Sequence, residues 1–181
     1  MLRWKKIKES TIFKNKWLKI DQVWFETAKG RQVDYYFVRG APVVAVLGVT
    51  IDKKIVLVKQ YRPSTGKYMT DIPGGGAEDN ESKKQAAKRE FKEETGYDLD
   101  KVRKLTSFYF DSGRSDKYST IYVGLATHKT DPKHDEIESL KIIEVPYKIL
   151  MESIRSGKIT EPTIRLSVMS FELSPLKKLY I

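Results

Sequence analysis

The alternation of hydrophobic and polar positions divides the chain into two parts near residue 41. Residues 17–25 and 32–39 have the pattern of strands, and the Thr-Ala-Lys-Gly segment between them predicts a hairpin turn. An Ala-Pro pair then interrupts the pattern, and two further strands are predicted at residues 43–50 and 55–60. The first part is therefore expected to be a small β-structure that precedes a larger unit.

The larger part alternates strands with helices. Its best-defined helix covers residues 83–95, which contain neither proline nor glycine and are rich in strong helix formers. Ser82 and Gln85 predict a capping box at the start of this helix, and Gly96 predicts a left-handed cap at its end. Further strands are predicted at 102–109, 119–128 and 140–144, and further helices at 147–156 and 163–173. This order predicts an α/β sandwich.

Composition narrows the class of protein. A chain of 181 residues is long enough for one compact domain with a small addition, and a core of that size needs no disulfides. Cysteine is absent, which excludes cysteine nucleophiles and points to a reducing compartment. The basic N-terminus lacks the hydrophobic run of a signal peptide, and the apolar residues 43–51 are too few to span a membrane. We therefore expect a soluble, cytoplasmic protein with no membrane partner.

The formal net charge is +10. A basic surface attracts phosphates, either on a small diphosphate or on a nucleic acid. The lysines are scattered through the chain, however, and no dense basic block is present. A generally solvated basic surface is the favoured interpretation, and a nucleic-acid partner is not expected.

The candidate chemistry lies in residues 75–97, whose sequence is GGAEDNESKKQAAKREFKEETGY. On the predicted helix, Glu90, Glu93 and Glu94 share one face because they are three and four residues apart. Like charges so placed repel one another, so the helix needs a compensating cation. Divalent ions such as Mg²⁺ prefer oxygen ligands of this kind. The pattern therefore indicates a metal site.

An acidic cluster on a lysine-rich helix is also typical of a solvated face. Two neighbouring features favour the functional interpretation. Arg89 stands within the cluster, where it can pair with Glu81 or orient Glu90. The helix also follows the Ile-Pro-Gly-Gly-Gly segment at 72–76, whose backbone can approach an anion or a metal closely.

Residues 75–97 resemble, without a gap, the Nudix box of hydrolases that act on a nucleoside diphosphate linked to another moiety. The resemblance implies an α/β/α sandwich with a mixed sheet. It also implies Mg²⁺ as the cofactor, with Mn²⁺ as an alternative. Glu90 and Glu94 would be the principal metal ligands and Glu93 a further contributor. The carbonyl of Gly74, just before the box, would complete this part of the metal site.

The same resemblance assigns supporting roles around the metal. Arg89 would belong to the catalytic machinery as an orienting partner, and Glu81 would orient in the same way. Gly75, in the glycine-rich loop, would lie against the substrate. Phe91 and Tyr97 fill the two variable apolar positions of the box.

The order of elements is similar to one branch of this family, the ADP-ribose and nucleotide-sugar pyrophosphatases. This implies a small N-terminal antiparallel β-sheet over residues 1–41, which would serve dimerisation and substrate binding, and a Nudix hydrolase domain over 42–181. The Val-Lys-Gln-Tyr-Arg-Pro segment at 58–63 resembles a strand of that branch, and by analogy Arg62 would contact a substrate phosphate.

Residues 111–117 resemble the branch's S-P-G-x-S-D-E segment but depart from it at three positions, two of which bear on specificity. Ser112 replaces the proline that is usual in the ADP-ribose enzymes, and Lys117 replaces the final acid. Ser112 and Asp116 are therefore candidate substrate-binding residues, but strict specificity for ADP-ribose does not follow.

A second acidic segment, Asp-Glu-Ile-Glu at 135–138, stands before a predicted strand. In the sugar-nucleotide branch, acids on the corresponding loop complete the catalytic centre. Spacing puts Glu138 at a metal-ligand position and makes Glu136 the acid that approaches the attacking water. Either Glu136 or Glu93 would then be the catalytic base. His134 and His128 are assigned no role.

These features together predict a pyrophosphohydrolase. The expected reaction is Mg²⁺-dependent hydrolysis of a nucleoside diphosphate sugar, ADP-ribose or a related small molecule, to a nucleoside monophosphate and a sugar phosphate. A homodimer is expected. The alternatives are an RNA 5′-end pyrophosphohydrolase, a nucleoside triphosphate pyrophosphatase and a non-catalytic Nudix domain that senses a ligand.

Overall fold

A computed structural model describes residues 3–132 and 140–181 of the chain. The strands of the described part are β1 (Lys5–Lys14), β2 (Lys19–Glu26), β3 (Gln32–Arg39), β4 (Val43–Thr50), β5 (Lys54–Arg62), β6 (Lys67–Asp71), β7 (Gly74–Gly76), β8 (Tyr97–Tyr109), β9 (Tyr118–Lys129) and β10 (Leu140–Pro146). The helices are α1 (Lys83–Thr95), α2 (Tyr147–Arg155), α3 (Pro162–Leu173) and a 3₁₀ helix, η1 (Pro175–Leu179). The predicted mixed α/β class is confirmed.

The chain divides into two units. The first contains the residues up to Pro42 together with Phe108–Ser119, and the second contains Val43–Ser107 and Thr120–Ile181. The segment 108–119 therefore belongs with the N-terminal strands, although in sequence it lies between the two parts of the second unit.

The first unit contains an antiparallel sheet in the order β1-β2-β3. The predicted hairpin turn between β2 and β3 is present, because the Thr27 N–H donates to Arg31 O at 2.8 Å and the Gly30 N–H donates to Thr27 O at 2.9 Å. Strand β1 was not predicted from the sequence. It is lysine-rich and almost wholly exposed, so it has no buried apolar face for a periodic pattern to reveal.

An ion network at Arg39 joins the separate segments of the first unit. Its guanidinium contacts Asp21 at 2.9 Å, Glu9 at 2.6 Å and Asp116 at 3.0 Å. Asp21 is buried in the middle strand, where a hydrogen bond from Thr11 and contacts with Lys19 and Arg39 hold its pKa far below the ordinary value. Ser115 also donates from its hydroxyl to Val38 O at 2.8 Å. Segment 108–119 is therefore tied to β3 by charge and by backbone contacts.

The second unit is built on a seven-stranded sheet whose central order is β10-β5-β4-β9-β8, with β6 paired to β5 and β7 paired to β4. Strand β4 is buried along nearly its whole length, as expected for a strand that is covered on both faces. Val44 and Val46 belong to the core cluster with Ala86, Ala87 and Phe91 of α1. Ala45, Leu47 and Val49 alternate with them and are buried on the opposite face.

Helix α1 fits closely on β4 because small residues remove bulk from the contact. A Cβ at Gly48 would lie 2.2 Å from the Phe91 ring, so only glycine at position 48 lets the ring reach the sheet. The predicted capping box of Ser82 and Gln85 is confirmed, and so is the left-handed cap at Gly96. The ends of α1 are thus fixed by local sequence, and its depth by its contact with Gly48 of β4.

Other boundaries differ from the prediction. Strand β8 begins at Tyr97, directly after the α1 cap, rather than at residue 102. Strands β6 and β7 and the helix η1 were not predicted. Strand β7 is Gly-Gly-Gly, a sequence with little intrinsic strand preference, and its pairing with β4 is set by tertiary structure. No helix of residues 3–132 and 140–181 is long and apolar enough to cross a membrane.

Candidate active site on helix α1

Arg89 is the centre of a hydrogen-bonded cluster at the middle of α1. Its guanidinium donates to Glu81 at 2.7 and 3.3 Å, and Nη1 lies 3.0 Å from both Glu90 Oε1 and Glu93 Oε2. Nη2 also donates to the Gly76 carbonyl at 3.0 Å. One side chain therefore neutralises three acids and ties the helix to the glycine-rich strand β7.

Two acids of α1 are directed at β7. A Cβ on Gly75 would lie 2.5 Å from the Glu90 carboxyl carbon, so the carboxylate rests directly against the backbone there. The Gly74 N–H donates to Glu94 Oε2 at 2.9 Å. Because Glu90 and Glu94 are one helical turn apart, both carboxylates meet the same short stretch of glycine backbone.

The position of β7 is itself determined by β4. Gly74 is opposite Ala45, and a Cβ at Gly74 would lie 2.2 Å from the Val44 carbonyl oxygen. The Val46 N–H donates to Pro73 O at 2.8 Å, which places the start of the glycine segment. Since α1 packs on the same strand β4, the helix and β7 share one support. The carboxylates and the glycine backbone are thus held in a fixed relation.

The electrostatics of the cluster differ from acid to acid. Burial raises the pKa of Glu90, and the Arg89 guanidinium acts in the opposite direction. The pKa of Glu81 is lowered, chiefly by the hydrogen bonds that it accepts from Arg89. The pKa of Arg89 is raised in return by these carboxylates, foremost by Glu81. Arg89 thus remains charged, and it opposes the protonation of Glu81 and Glu90.

Glu93 differs from its neighbours in being accessible. Its side chain is 44% exposed, compared with 16% for Glu81 and for Glu90. A cavity of about 190 Å³ adjoins it, lined by Arg89, Lys92, Glu93, Thr130 and Asp131. Water and a substrate oxygen can therefore reach this carboxylate.

The donor set suits a hard divalent cation in its chemistry. Glu90 and Glu94 offer carboxylate oxygens beside a backbone that no Cβ obstructs, and Arg89 forms a hydrogen bond with Glu90. Within residues 3–132 and 140–181, however, no group of three or more His, Asp or Glu side chains is arranged around one point as metal ligands. Glu136 and Glu138, two predicted members of the site, lie outside the described residues.

The remaining predicted site residues lie away from this cluster in sequence. Arg62 ends β5 and is exposed. Ser112 and Asp116 belong to the first unit, whereas Arg62 and the α1 cluster belong to the second. Asp116 is engaged within its own unit, because its carboxylate pairs with Arg39 and accepts the Gly40 N–H at 3.2 Å.

The sequence did not reveal how the end of α1 is held. Tyr97, interpreted as an apolar position, donates from its hydroxyl to Glu144 Oε1 at 2.6 Å, and Lys129 contacts the same oxygen at 3.2 Å. The Thr130 N–H and hydroxyl both donate to the Gly96 carbonyl, at 2.9 and 3.1 Å. Tyrosine combines an apolar ring with a polar hydroxyl, and this property was the available sign in the sequence that Tyr97 could form such a hydrogen bond.

Asp71 was also missed. It ends β6, and its Oδ1 accepts the Ile72 N–H at 2.8 Å. Burial raises its pKa to about 6, a nearby Glu161 acts in the same direction, and Arg62 opposes them. Sequence alone gives no sign that this carboxyl is largely withdrawn from water.

The NUDIX domain matches residues 39–160, which is more than half of the chain. The chain belongs to the NUDIX family. A methanol dehydrogenase activator from Bacillus methanolicus is 31% identical to this NUDIX protein, over 96% of this chain and 95% of that one. An ADP-sugar pyrophosphatase from Mus musculus is also 31% identical, over 92% of this chain and 84% of that one.

A solved structure also matches the NUDIX chain. A crystal structure of an ADP compounds hydrolase has a TM-score of 0.84 at 21% identity, covering 98% of this chain and 96% of that one. At that identity the likeness shows the fold. The family resemblance and the fold predicted from the sequence are both confirmed.

Proposed function

We propose that this NUDIX protein hydrolyses the pyrophosphate bond of nucleoside diphosphate sugars, such as ADP-ribose, and releases a nucleoside monophosphate and a sugar phosphate. The observation that carries the proposal is the convergence of Glu90 and Glu94 on the Gly74–Gly75 backbone, with Arg89 compensating the neighbouring acids. The name of the mouse relative, an ADP-sugar pyrophosphatase, supports the substrate class.

Glu90, Glu94 and the Gly74 carbonyl would hold the divalent cation, with Glu93 and Glu138 as further ligands. We propose Mg²⁺, with Mn²⁺ as the alternative. When bound, such an ion neutralises charge on the phosphate oxygens and lowers the pKa of a coordinated water. The half-buried Glu90 carboxylate fits this role because a cation would favour its charged form over the protonated form that burial favours.

The chain's own residues would organise the displacement. A water attacks one phosphorus in line, the bridging P–O bond breaks, and the water's proton passes to a carboxylate. Glu93 is suited to accept that proton because it is exposed at the cavity beside α1. Glu136 is the other candidate for the base. Arg89, itself held by Glu81, would position Glu90 and Glu93 during the step.

Substrate contacts are proposed at several positions outside α1. Arg62 would bind a phosphate through its guanidinium, and Gly75 would lie beside the diphosphate because it has no side chain. Ser112 and Asp116 would contact the remainder of the substrate.

Residues 1–41 would form a dimerisation domain and 42–181 the hydrolase domain. The N-terminal sheet carries a cluster of aromatic rings that comprises Trp4, Phe25, Tyr35 and Phe37, with centroids 5.8–6.2 Å apart. Trp4 and Tyr35 are partly exposed, so the cluster offers an apolar surface to a second copy. We further propose that the homodimer acts in the cytoplasm.

The test is a hydrolysis panel with Mg²⁺ and with Mn²⁺. It compares ADP-ribose, several nucleotide sugars, dinucleotide polyphosphates, free nucleoside triphosphates and 5′-triphosphorylated RNA. Reaction in H₂¹⁸O followed by mass spectrometry identifies the phosphorus that the water attacks. Glu94→Gln should lower kcat by on the order of 100-fold or more. Glu152→Gln, at an exposed glutamate of α2, is the matched control and should leave kcat unchanged.

Turnover of nucleotide sugars that depends on Glu94 would support the proposal. If only RNA ends or triphosphates are hydrolysed, the proposed substrate class is wrong, but the proposed metal site still stands. Ligand binding without any turnover would instead support a sensor function.

A further inference from the structure

A second surface of the hydrolase unit carries aromatic and basic side chains outside the active site. In the β5–β6 hairpin, Tyr61 is directly opposite Tyr68, with ring centroids 5.5 Å apart at an angle of 62°. Lys59 Nζ lies 5.8 Å from the Tyr68 ring. Lys141 of β10 is directly opposite Lys59 in the antiparallel register. We call Lys59, Tyr61, Tyr68 and Lys141 the hairpin platform.

The platform faces away from helix α1. Val56 of β5 belongs to the core cluster beneath α1, so even-numbered residues of β5 point to that face. Odd-numbered residues point to the opposite face, where Ile55 and Leu57 are buried and Lys59 and Tyr61 follow in the same row. Cross-strand partners share a face, which places Tyr68 and Lys141 there too. Arg62 is on the α1 face.

The tyrosines of the platform are open to solvent. Tyr61 is 46% exposed and Tyr68 is 65% exposed. Their rings meet edge to face, so neither covers the other completely. A flat ligand can therefore stack on a free ring face. Lys59 Nζ lies over the Tyr68 ring and adds a positive charge to this aromatic surface.

The two lysines of the platform repel each other. Like charges that are directly opposite on paired strands destabilise a sheet, and Lys59 and Lys141 are so placed. Neither forms an ion pair with a residue of the described ranges 3–132 and 140–181. Residues 53–70, which include most of the hairpin, contain no aspartate or glutamate. An anionic ligand would relieve the repulsion.

We propose that the hairpin platform binds single-stranded nucleic acid, with unpaired bases stacked on the two tyrosines and phosphates beside the two lysines. Exposed aromatic side chains within a positive surface are the usual means of binding single strands without sequence preference. A second copy of this chain fits less well, because two such lysine pairs would face each other. The sequence did not favour a nucleic-acid partner because lysines far apart in the chain meet only in the folded sheet.

The test is fluorescence anisotropy with a 3′-labelled, single-stranded ten-nucleotide RNA and its DNA counterpart. Each oligonucleotide carries a 5′-hydroxyl, so the hydrolase site has no pyrophosphate to recognise. The titration uses Glu94→Gln and the parent protein from low to physiological salt. We expect salt-dependent binding of the single strand, equal in the two proteins, and weaker binding of the corresponding duplex.

Two sets of variants identify the surface. Lys59→Gln with Lys141→Gln should lower affinity and reduce the slope of log K against log salt by about 1.4, since each phosphate contact contributes about 0.7 for a single strand. Tyr68→Ala should weaken binding about 10-fold, and Tyr68→Phe should not, because stacking needs only the ring. Lys84→Gln and Tyr109→Ala, both at exposed positions elsewhere, are the charge and aromatic controls.

Several results would overturn the proposal. One is an absence of binding at low salt, and another is binding that the platform variants leave unchanged. Equal affinity for inorganic polyphosphate, insensitive to Tyr68→Ala, would show attraction by charge alone. Sedimentation in which the tyrosine variants dissociate a dimer, or binding to anionic vesicles but not to the oligonucleotide, would assign the surface to a different partner.

Discussion

The carboxylate of Glu90 occupies the space that a side chain at Gly75 would fill. A Cβ built on Gly75 would lie 2.5 Å from the Glu90 carboxyl carbon, far inside van der Waals contact. The obstructing group is an acid that Arg89 also holds, so it is not free to move away. The absence of a side chain at position 75 therefore determines where a candidate metal ligand lies.

Gly75→Ala should displace Glu90 and lower kcat/KM for a nucleotide sugar by about 100-fold, as expected when a reacting group is shifted by roughly 1 Å. The neighbouring Gly76→Ala is a closely matched control, because a Cβ there meets nothing within 4 Å. Steady-state kinetics at saturating Mg²⁺ compares the two. Equal activities would mean that the position of Glu90 is not important for the reaction.

Arg89→Lys should reduce both stability and activity. A lysine ammonium lacks the planar fork that reaches Glu81, Glu90, Glu93 and the Gly76 carbonyl together. The loss of charge-assisted hydrogen bonds should lower the free energy of unfolding by about 1–3 kcal/mol, measured by urea denaturation. Lys88→Ala, at an exposed position of the same helix, should change it by no more than about 0.5 kcal/mol.

The same substitution should move the acid limb of the pH–rate profile. Burial already raises the pKa of Glu90, and Arg89 is the cation that opposes this effect. Weaker compensation should raise the pKa further, so that activity is lost at a higher pH than in the parent protein. If the acid limb does not move, Glu90 is not the group whose ionisation controls the rate.

Asp71→Asn should stabilise the protein at neutral pH. The pKa of Asp71 is raised from 3.8 to about 6 in the folded state, so the folded chain binds more protons than the unfolded chain between those values. The stability contributed by this group is therefore lost as pH rises through that window. Asparagine has no such charge and can still accept the Ile72 N–H, so the gain at pH 7 should be on the order of 1–3 kcal/mol.

Urea denaturation of both proteins from pH 4 to pH 8 tests this expectation. The advantage of Asp71→Asn should grow from pH 4 to about pH 6 and then remain constant. Asp79→Asn, which removes one carboxyl from an exposed loop, is the control. An advantage that is the same at every pH would show that the effect does not come from ionisation.

Tyr97→Phe should loosen the C-terminal end of α1. It removes the hydroxyl that donates to Glu144 while keeping the ring, so the stability loss should be about 1–2 kcal/mol. Hydrogen exchange should also increase at the last turn of α1. Tyr109→Phe, in the exposed part of β8, should leave both quantities unchanged. If Tyr97→Phe also leaves the stability and the hydrogen exchange unchanged, the Glu144 contact does not hold the helix end.

Local features of the sequence predicted α1 well. The capping box, the helix formers and the terminal glycine all act within one helix, so the residues themselves contain the information. The spacing of Arg89, Glu90 and Glu93 also predicted their proximity, because residues up to four apart meet on a helix. The ion cluster of the site is in this sense a local structure.

The parts of the structure that were not predicted depend on contacts between residues far apart in the sequence. Strand β7 is ordered by its backbone contacts with β4, and a sequence of three glycines does not predict a strand. The Arg89 bond to the Gly76 carbonyl and the Tyr97 bond to Glu144 join segments whose approach is set by the sheet. The opposition of Lys59 and Lys141 likewise follows from register between β5 and β10, which the sequence does not display.

The contact of Phe91 with Gly48 limits the substitutions that the enzyme tolerates at position 48. Phe91 stands between Glu90 and Glu93 in the chain but points into the sheet, where position 48 has no side chain. The acids on the side of α1 that meets β7 are therefore aligned by an aromatic ring on the side that packs on β4. A methyl group introduced at position 48 would rotate or lift the helix and misdirect every acid together, although no atom of that residue belongs to the site. Genetic screens for inactive variants should recover position 48 as readily as the acids themselves.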